Sequence, residues 1–199
     1  QKACQSLETG RDGLSGDGHE ERSIDRLVHS LEHPSSDRFF HVKESLAMGV
    51  PMKTVQKLTK IDPWYLHQIN HLVELEKEVR KQELEKFSPE FMETLKRNGF
   101  SDAQIASQLH EDEENVYQYR KQHSIERHFK VVDTCAAEFP SETPYFYSAY
   151  EQEDESPVTE KPKIIVLGSG PNRIGQGIEF DYCCVHGIQA IKEAGYEAI

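Results

Sequence analysis

Long apolar runs are missing from this 199-residue chain. No window approaches the roughly 18 consecutive apolar residues of a membrane-crossing helix, so no membrane partner is expected. No basic segment leads into an apolar one, so these residues carry no legible secretory signal. Cysteine is scarce: Cys4, Cys135, Cys183 and Cys184 show no C-x-x-C spacing. Two of them are vicinal in a predicted helix, where a mutual disulfide would strain the backbone. That pattern suits a reducing cytoplasm, the expected location. Positive charge is also short, with Lys and Arg totalling 23 against 35 Asp and Glu for a net charge of −12. Residues 161–199 sum to zero, so the whole excess lies before them. A surface this acidic repels phosphate backbones and argues against a nucleic-acid partner.

What is present is mostly helical periodicity. Gln1 to Leu7 reads as the tail of a helix entered midway, and the four glycines between Thr9 and Glu20 read as a flexible join. Ile24, Leu27, Val28 and Leu31 follow a helical period after Ser23. Ser36 is the expected cap of the next helix, with Phe39, Phe40, Leu46 and Ala47 inward and Gly49 as its stop. Pro51 opens a short helix holding Val55 and Leu58. Asp62 and Pro63 are an N-cap and first-position pair for a long helix with the stripe Trp64, Leu66, Ile69, Leu72, Val73, Leu75 and Val79. Its charge run from Glu74 onward reads as a solvated face. Ser88, Ser101 and Asn115 open three more helices. Residues 20–125 are therefore expected to form an all-α domain of about six or seven helices. Gly49-Val50-Pro51 and Gly99-Phe100-Ser101 begin a weak internal repeat near fifty residues, read as duplicated helix–turn–helix geometry.

Phe129–Asp133 and Tyr145–Tyr150 have strand-like content. Glu151–Pro162, with five acidic residues and two prolines in twelve, reads as a linker. Then comes Lys163–Leu167, an apolar β-branched run, followed by a glycine loop, a helix-like stretch to about Ala194, and a second strand opening at Gly195–Ile199. Strand, loop, helix, strand is the first unit of a doubly wound nucleotide-binding sheet. One such unit cannot cover both faces of a parallel sheet, so the chain is expected to be a piece of a longer enzyme. Glycines 168, 170, 175 and 177 let backbone N–H groups approach a ligand, and a following helix N-terminus favours an anion. Pro171 breaks the usual dinucleotide pattern, and a tight structural turn is the alternative reading.

Other motifs have plainer accounts. His67 and His71 stand one helical turn apart, but the zincin Glu is absent and Gln68 cannot serve as a base, so an interface helix is favoured over metal. Gly99–Ala106 resembles the first half of a DNA-reading helix–turn–helix, yet the next helix opens with Glu111-Asp112-Glu113-Glu114, which opposes DNA. Cys183-Cys184 has no adjoining cation and reads as a buried helix face. The aromatic run at Tyr145–Tyr150 reads as core or interface packing. A helix–turn–helix nucleic-acid binder and an independent nucleotide-binding enzyme remain the alternatives to the reading that follows.

Three segments together resemble one family, the large chain of carbamoyl-phosphate synthase: Ile61-Asp62-Pro63-Trp64-Tyr65-Leu66 with its helix, Val132-Asp133-Thr134-Cys135-Ala136-Ala137-Glu138-Phe139, and the loop Gly168 to Tyr182. The resemblance covers nearly all the chain and is weakest over residues 9–35. The loop segment Pro171–Gly177 looks like the bacterial type, in which a separate glutaminase small subunit supplies ammonia. The resemblance implies that residues 1–8 end a carboxyphosphate synthetic half, 9–154 form a helical oligomerisation domain with a linker to 162, and 163–199 open an incomplete pre-ATP-grasp, Rossmann-like α/β domain of the second half. It also implies a parent ligase that uses bicarbonate, glutamine-derived ammonia, two ATP and Mg²⁺ or Mn²⁺ to make carbamoyl phosphate for arginine and pyrimidine synthesis.

The family's nucleotide, metal and catalytic residues lie mainly in segments absent here, so no catalytic or metal-binding residue and no cofactor is carried over to this piece. It is expected to be non-catalytic and to self-associate, with Trp64, Tyr65, Phe39 and Phe40 as core or anchor residues. The loop does match the family, implying ligand contacts at Gly168, Gly170, Asn172, Arg173, Gly175 and Gly177, with Arg173 facing an anion.

Overall fold

Capping chemistry sets where this chain changes structure. The computed structural model describes residues 1–5, 7, 9–14, 23–141, 145–167 and 178–199, which fall into two units, Gln1–Glu155 and Ser156–Ile199. In the first, a single turn α1 (Lys2–Gln5) precedes α2 (Ile24–Glu32), α3 (Arg38–Ala47), α4 (Met52–Thr59) and α5 (Pro63–Val79). A 3₁₀ turn at Leu84–Lys86 leads to α6 (Pro89–Arg97), α7 (Asp102–Leu109) and α8 (Glu113–Gln122). An antiparallel pair follows, β1 (His128–Val131) and β2 (Phe146–Ala149). The second unit pairs β3 (Lys163–Ile164) in parallel with β4 (Glu197–Ala198), and α9 (Ile178–Glu193) connects them. The chain is mainly helical with a few short strands, as expected.

Ser23, Asp62, Ser88 and Ser101 cap α2, α5, α6 and α7, their side-chain oxygens accepting from the N–H groups of Arg26, Trp64, Phe91 and Gln104. Each such bond satisfies an N–H with no partner inside the helix and is worth about 1 kcal/mol. The start of α3 corrects the sequence reading. Asp37, not Ser36, stands at its N-cap and makes no side-chain cap bond. Ser35 holds the turn instead, its Oγ accepting from the Asp37 N–H at 3.3 Å and its carbonyl from the Arg38 N–H. A serine that bonds its own neighbouring backbone competes with the cap position.

Helix α5 is the shared spine of two apolar cores. Its first half places Leu66, Ile69 and Val73 with Leu31, Val42 and Val55; its second half places Leu75 and Val79 with Met92, Leu95, Phe100 and Ile105. Burial departs from expectation mainly at helix ends. Ile24, Phe39 and Trp64 lie in first turns and are exposed, and Ala47, the last residue of α3, is exposed too. A terminal side chain packs only if its neighbours extend that far. Glu76 departs the other way: it belongs to the charge run read as solvated, yet it is buried.

The fifty-residue repeat is visible in the backbone. Gly49 (φ +86°) ends α3 and Gly99 (φ +83°) ends α6. In both, the glycine N–H and the next N–H turn back onto the helix: Gly49 to Leu46 and Val50 to Ser45, Gly99 to Lys96 and Phe100 to Leu95. This is the left-handed closure that glycine adopts without a Cβ penalty. Helices α4 and α7 each span eight residues and end on a non-glycine in the same left-handed region, Lys60 and His110, both at φ +58°.

In the second unit the pairing of β3 and β4 extends through Val166 N–H to Ile199 O at 2.8 Å and Glu197 N–H to Pro162 O at 2.9 Å. The expected burial of Cys183 and Cys184 is not found: Cys183 is exposed and Cys184 half-buried, both as free thiols. Among the described residues of this unit a two-stranded sheet is too narrow to cover α9.

Candidate functional site

Two places in the chain compete for function, the glycine loop and the polar and aromatic surface of the helical unit. All six loop residues, Gly168, Gly170, Asn172, Arg173, Gly175 and Gly177, lie outside the described residues. What is described is the frame around them. β3 precedes the loop, α9 starts at Ile178 directly after it, and β4 returns parallel to β3. That is the strand–helix–strand connection in which backbone N–H groups at a helix start face an anion.

On the helical unit the four aromatic candidates separate. Phe40 belongs to the interior, with the Arg11 guanidinium 4.0 Å above its ring. Phe39, Trp64 and Tyr65 are exposed, Trp64 at 61%. Trp64 and Tyr65 meet edge to face, centroids 4.9 Å apart, at the capped end of α5. His67 and His71 are exposed on the same helix. Among the described residues no group of three His, Cys, Asp or Glu side chains is placed to hold a metal ion, and no helix is long and apolar enough to cross a membrane. Beside the start of α5, Lys53, Lys57, Lys60 and Asp62 line an open hollow of about 430 Å³.

The strongest electrostatics went unread in the sequence. Lys43 of α3 meets Glu76 of α5 at 2.6 Å, both side chains buried, tying one core to the other. Arg80 approaches the same carboxylate at 3.8 Å, and Gln104 donates to it at 3.4 Å. A second cluster joins α6, α7 and α8. Asp102 accepts from Lys96 Nζ at 2.7 Å and from Arg120 Nε at 2.8 Å, and Arg120 makes a second contact through its terminal nitrogen. Burial pushes the Asp102 carboxyl up, but hydrogen bonds and charge from Arg120 and Lys96 outweigh this and hold it below the usual carboxylate range. Burial pulls the Lys96 ammonium below its ordinary value despite its bond to Asp102, and the neighbouring positive charge of Arg120 adds to the lowering. One signal was available: Lys43 stands three residues after Phe40 and three before Leu46, on the inward stripe of α3, where a solvated lysine does not belong.

This cluster also anchors the hairpin. The Tyr150 ring lies 5.4 Å from Lys96 Nζ and 5.8 Å from the Arg120 guanidinium carbon, while the Tyr150 carbonyl accepts from Arg97 Nε at 3.0 Å. Lys2 Nζ donates to Ser148 O at 3.0 Å. Tyr145, Phe146 and Tyr147 stay exposed, while Tyr150 at the end of the same run packs against the second core. The Val132–Phe139 motif forms a turn held by Asp133, whose carboxylate accepts from the N–H groups of Cys135 at 2.8 Å and Ala137 at 2.7 Å. Ala136 and Ala137 there take φ of +51° and +59°, a conformation that costs an alanine about 1 kcal/mol.

Comparison with known proteins agrees with the resemblance. A family model described as the carbamoyl-phosphate synthetase large chain oligomerisation domain matches residues 1–124, and one for the carbamoyl phosphate synthase preATP-grasp domain matches residues 160–199. Proteins named carbamoyl phosphate synthase large chain from Nostoc and Archaeoglobus fulgidus are 47% and 43% identical to it over the whole chain. A third, from Clostridium acetobutylicum, is 43% identical over the same span. The chain spans less than a fifth of the length of these relatives, 18%, 19% and 18%.

Proposed function

The chain belongs to the carbamoyl phosphate synthase large-chain family, and from that premise we propose that its helical unit is a self-association module of a carbamoyl-phosphate-forming ligase. The observation that carries the proposal is the coincidence of the oligomerisation model, residues 1–124, with a unit whose long spine helix leaves Trp64 and Tyr65 uncovered. Rigid aromatic rings on a capped helix offer large contact area at small entropic cost, and a symmetric contact between identical copies is the usual way to use it.

In this reading residues 163–199 open the second synthetic half as a pre-ATP-grasp, Rossmann-like unit. Gly168, Gly170, Asn172, Arg173, Gly175 and Gly177 line its ligand region, with the Arg173 guanidinium toward an anion. The parent enzyme combines bicarbonate, ammonia from a glutaminase small subunit and two ATP in the cytoplasm, for arginine and pyrimidine synthesis. ATP and its Mg²⁺ or Mn²⁺ belong to parts of the parent other than the described residues, and the segment itself is a joint rather than a catalyst. Sedimentation of the 199-residue chain over a concentration series tests this. Reversible dimers or larger species are expected. A strict monomer up to roughly 1 mM, where even a complex of about −4 kcal/mol is half formed, overturns the assembly role.

A further inference from the structure

The outer edge of β1 is covered by an unusual partner. β1 pairs with β2 on one side only, so the Phe129 and Val131 N–H groups and the Phe129 carbonyl point the other way. The chain leaves β2, passes Tyr150 and folds back along that open edge. Asp154 Oδ2 accepts from the Phe129 N–H at 3.0 Å, and Glu155 Oε2 from the Val131 N–H at 2.8 Å. The Glu155 N–H donates to the Phe129 carbonyl at 2.8 Å. The other Glu155 oxygen takes Lys130 Nζ at 3.1 Å, and the His128 ring nitrogen bonds the Glu151 carbonyl. Side-chain carboxylates stand where a third strand's carbonyls would be.

This changes where the tether between the two units begins. By composition the acidic run Glu151–Pro162 is a free linker of twelve residues. Thr159 Oγ1 and the Pro162 carbonyl are already bonded to Glu197 of the second unit, so with residues 151–155 laid along β1 only 156–158 are left without such an anchor. At about 3.6 Å per residue that shortens the maximum reach from about 29 Å for residues 151–158 to about 11 Å. The attachment is ionic, lies at the surface and rests on a few side chains. Its inboard end is fixed firmly, since Tyr150 sits against Lys96, Arg97 and Arg120.

We propose that residues 151–155 are a carboxylate-held strap that keeps the tether to the second unit short, and that Asp154 and Glu155 are the positioning residues that dock it. Both are set by local geometry on β1, so the proposal stands apart from self-association. It also gives the acidic run a role that a solvated spacer does not have: each of these two carboxylates satisfies a named backbone N–H that would otherwise mark an open strand edge.

The test compares the 199-residue chain with Asp154→Ala/Glu155→Ala and with Glu155→Gln. Amide hydrogen exchange at Phe129 and Val131 is expected to speed up about tenfold or more in the double variant, the scale set by losing a charge-assisted bond. Glu155→Gln keeps an acceptor for Val131 but loses the Lys130 pairing, so an intermediate rate is expected. Core amides such as Val116 should not change, because both altered side chains lie outside the core. Measured where the chain is monomeric, the radius of gyration from small-angle scattering should rise by a few ångström in the double variant. Unchanged exchange at Phe129 and Val131 overturns the docking, and faster exchange without expansion overturns the control of reach. Sedimentation of the same samples reports self-association separately, so either idea can fail without the other.

Discussion

The two halves of the helical unit close their helices alike and satisfy their buried charge differently. Around α4, a glycine turn at Gly49 and a left-handed Lys60 frame an eight-residue helix; around α7, Gly99 and His110 do the same fifty residues later. In the first half the buried cation Lys43 is set against a buried anion, Glu76, on the shared helix α5. The second has one nearly buried anion, Asp102, set against two cations, Lys96 and Arg120, with the Tyr150 ring nearby. Turn geometry is local and survives duplication, whereas buried polar pairing is made by residues brought together from different helices. The pair in the first half joins core to core, and the triad in the second fastens the hairpin to the helices.

Deleting the anions gives the largest effect. Asp102→Ala leaves two like charges without a counter-ion, and a loss of about 3–5 kcal/mol is expected in denaturant unfolding, the range for breaking a buried ion pair by removing one partner. Glu76→Ala strands Lys43 as the one buried cation, since Arg80 is largely exposed, and takes the acceptor from the buried Gln104 amide, so a loss near the lower end, about 3 kcal/mol, is expected. If Glu76→Ala proves the more damaging, the contrast between pair and triad is wrong.

Acid sharpens the same contrast. Asp102 is held below its ordinary value in the folded chain, so the unfolded chain binds more protons as pH falls, and folding stability falls with it. The contribution is full above the usual carboxylate range and drains away as pH drops through the lowered value. The groups facing Asp102 are Lys96, Arg120 and Tyr150, and none of them changes charge in that window. Asp102→Asn should therefore flatten the part of the acid limb that belongs to this site. An unaltered slope in that variant would assign the acid sensitivity to other carboxylates.

The turn glycines rank next. Alanine at either position must hold a left-handed φ, at about 1–2 kcal/mol. At Gly49 nothing lies within 4 Å of the added Cβ, so that figure stands alone. At Gly99 the Cβ would meet the Gln1 side chain at 3.0 Å, and Gln1 Oε1 holds the Leu14 N–H at 2.8 Å. Gly99→Ala should thus lower the melting temperature more than Gly49→Ala; equal shifts would mean Gln1 gives way freely.

What the sequence made legible was whatever a few adjacent residues decide. Ser23, Asp62-Pro63, Ser88 and Ser101 marked helix starts because a side-chain oxygen three residues or fewer from its N–H needs no tertiary help. Gly49 and Gly99 marked helix ends for the same reason. The strands at Phe129–Asp133 and Tyr145–Tyr150 were visible in their β-branched and aromatic content. Burial at helix ends was not visible, and neither Trp64 nor Phe39 is covered by its neighbours. Lys43–Glu76 and Lys96–Asp102–Arg120 each draw on separate helices, so no single helix shows its partners, and Glu76 is buried although its run reads as solvated. The strap was hidden because acidic residues facing backbone N–H groups have the composition of a linker. For the glycine loop, legibility went as far as the strand, helix and strand that frame it.

The smallest expected difference lies at the caps. Asp62 and Asp112 occupy the same place in the two copies, just ahead of α5 and α8. Asp62 accepts from the Trp64 N–H at 2.8 Å, while Asp112 makes no side-chain cap bond. Replacing Asp62 with Ala removes a hydrogen bond and a charge at the positive end of a helix, and about 1 kcal/mol should be lost. Replacing Asp112 removes only a charge, and Glu113 and Glu114 in the same first turn maintain the negative field there. A loss of about 0.3 kcal/mol is expected, shrinking further as salt screens it. The salt series decides between the two mechanisms. If the Asp62 effect fades with ionic strength as the Asp112 effect does, its contribution is field rather than bond, and the two copies are more alike than their geometry indicates.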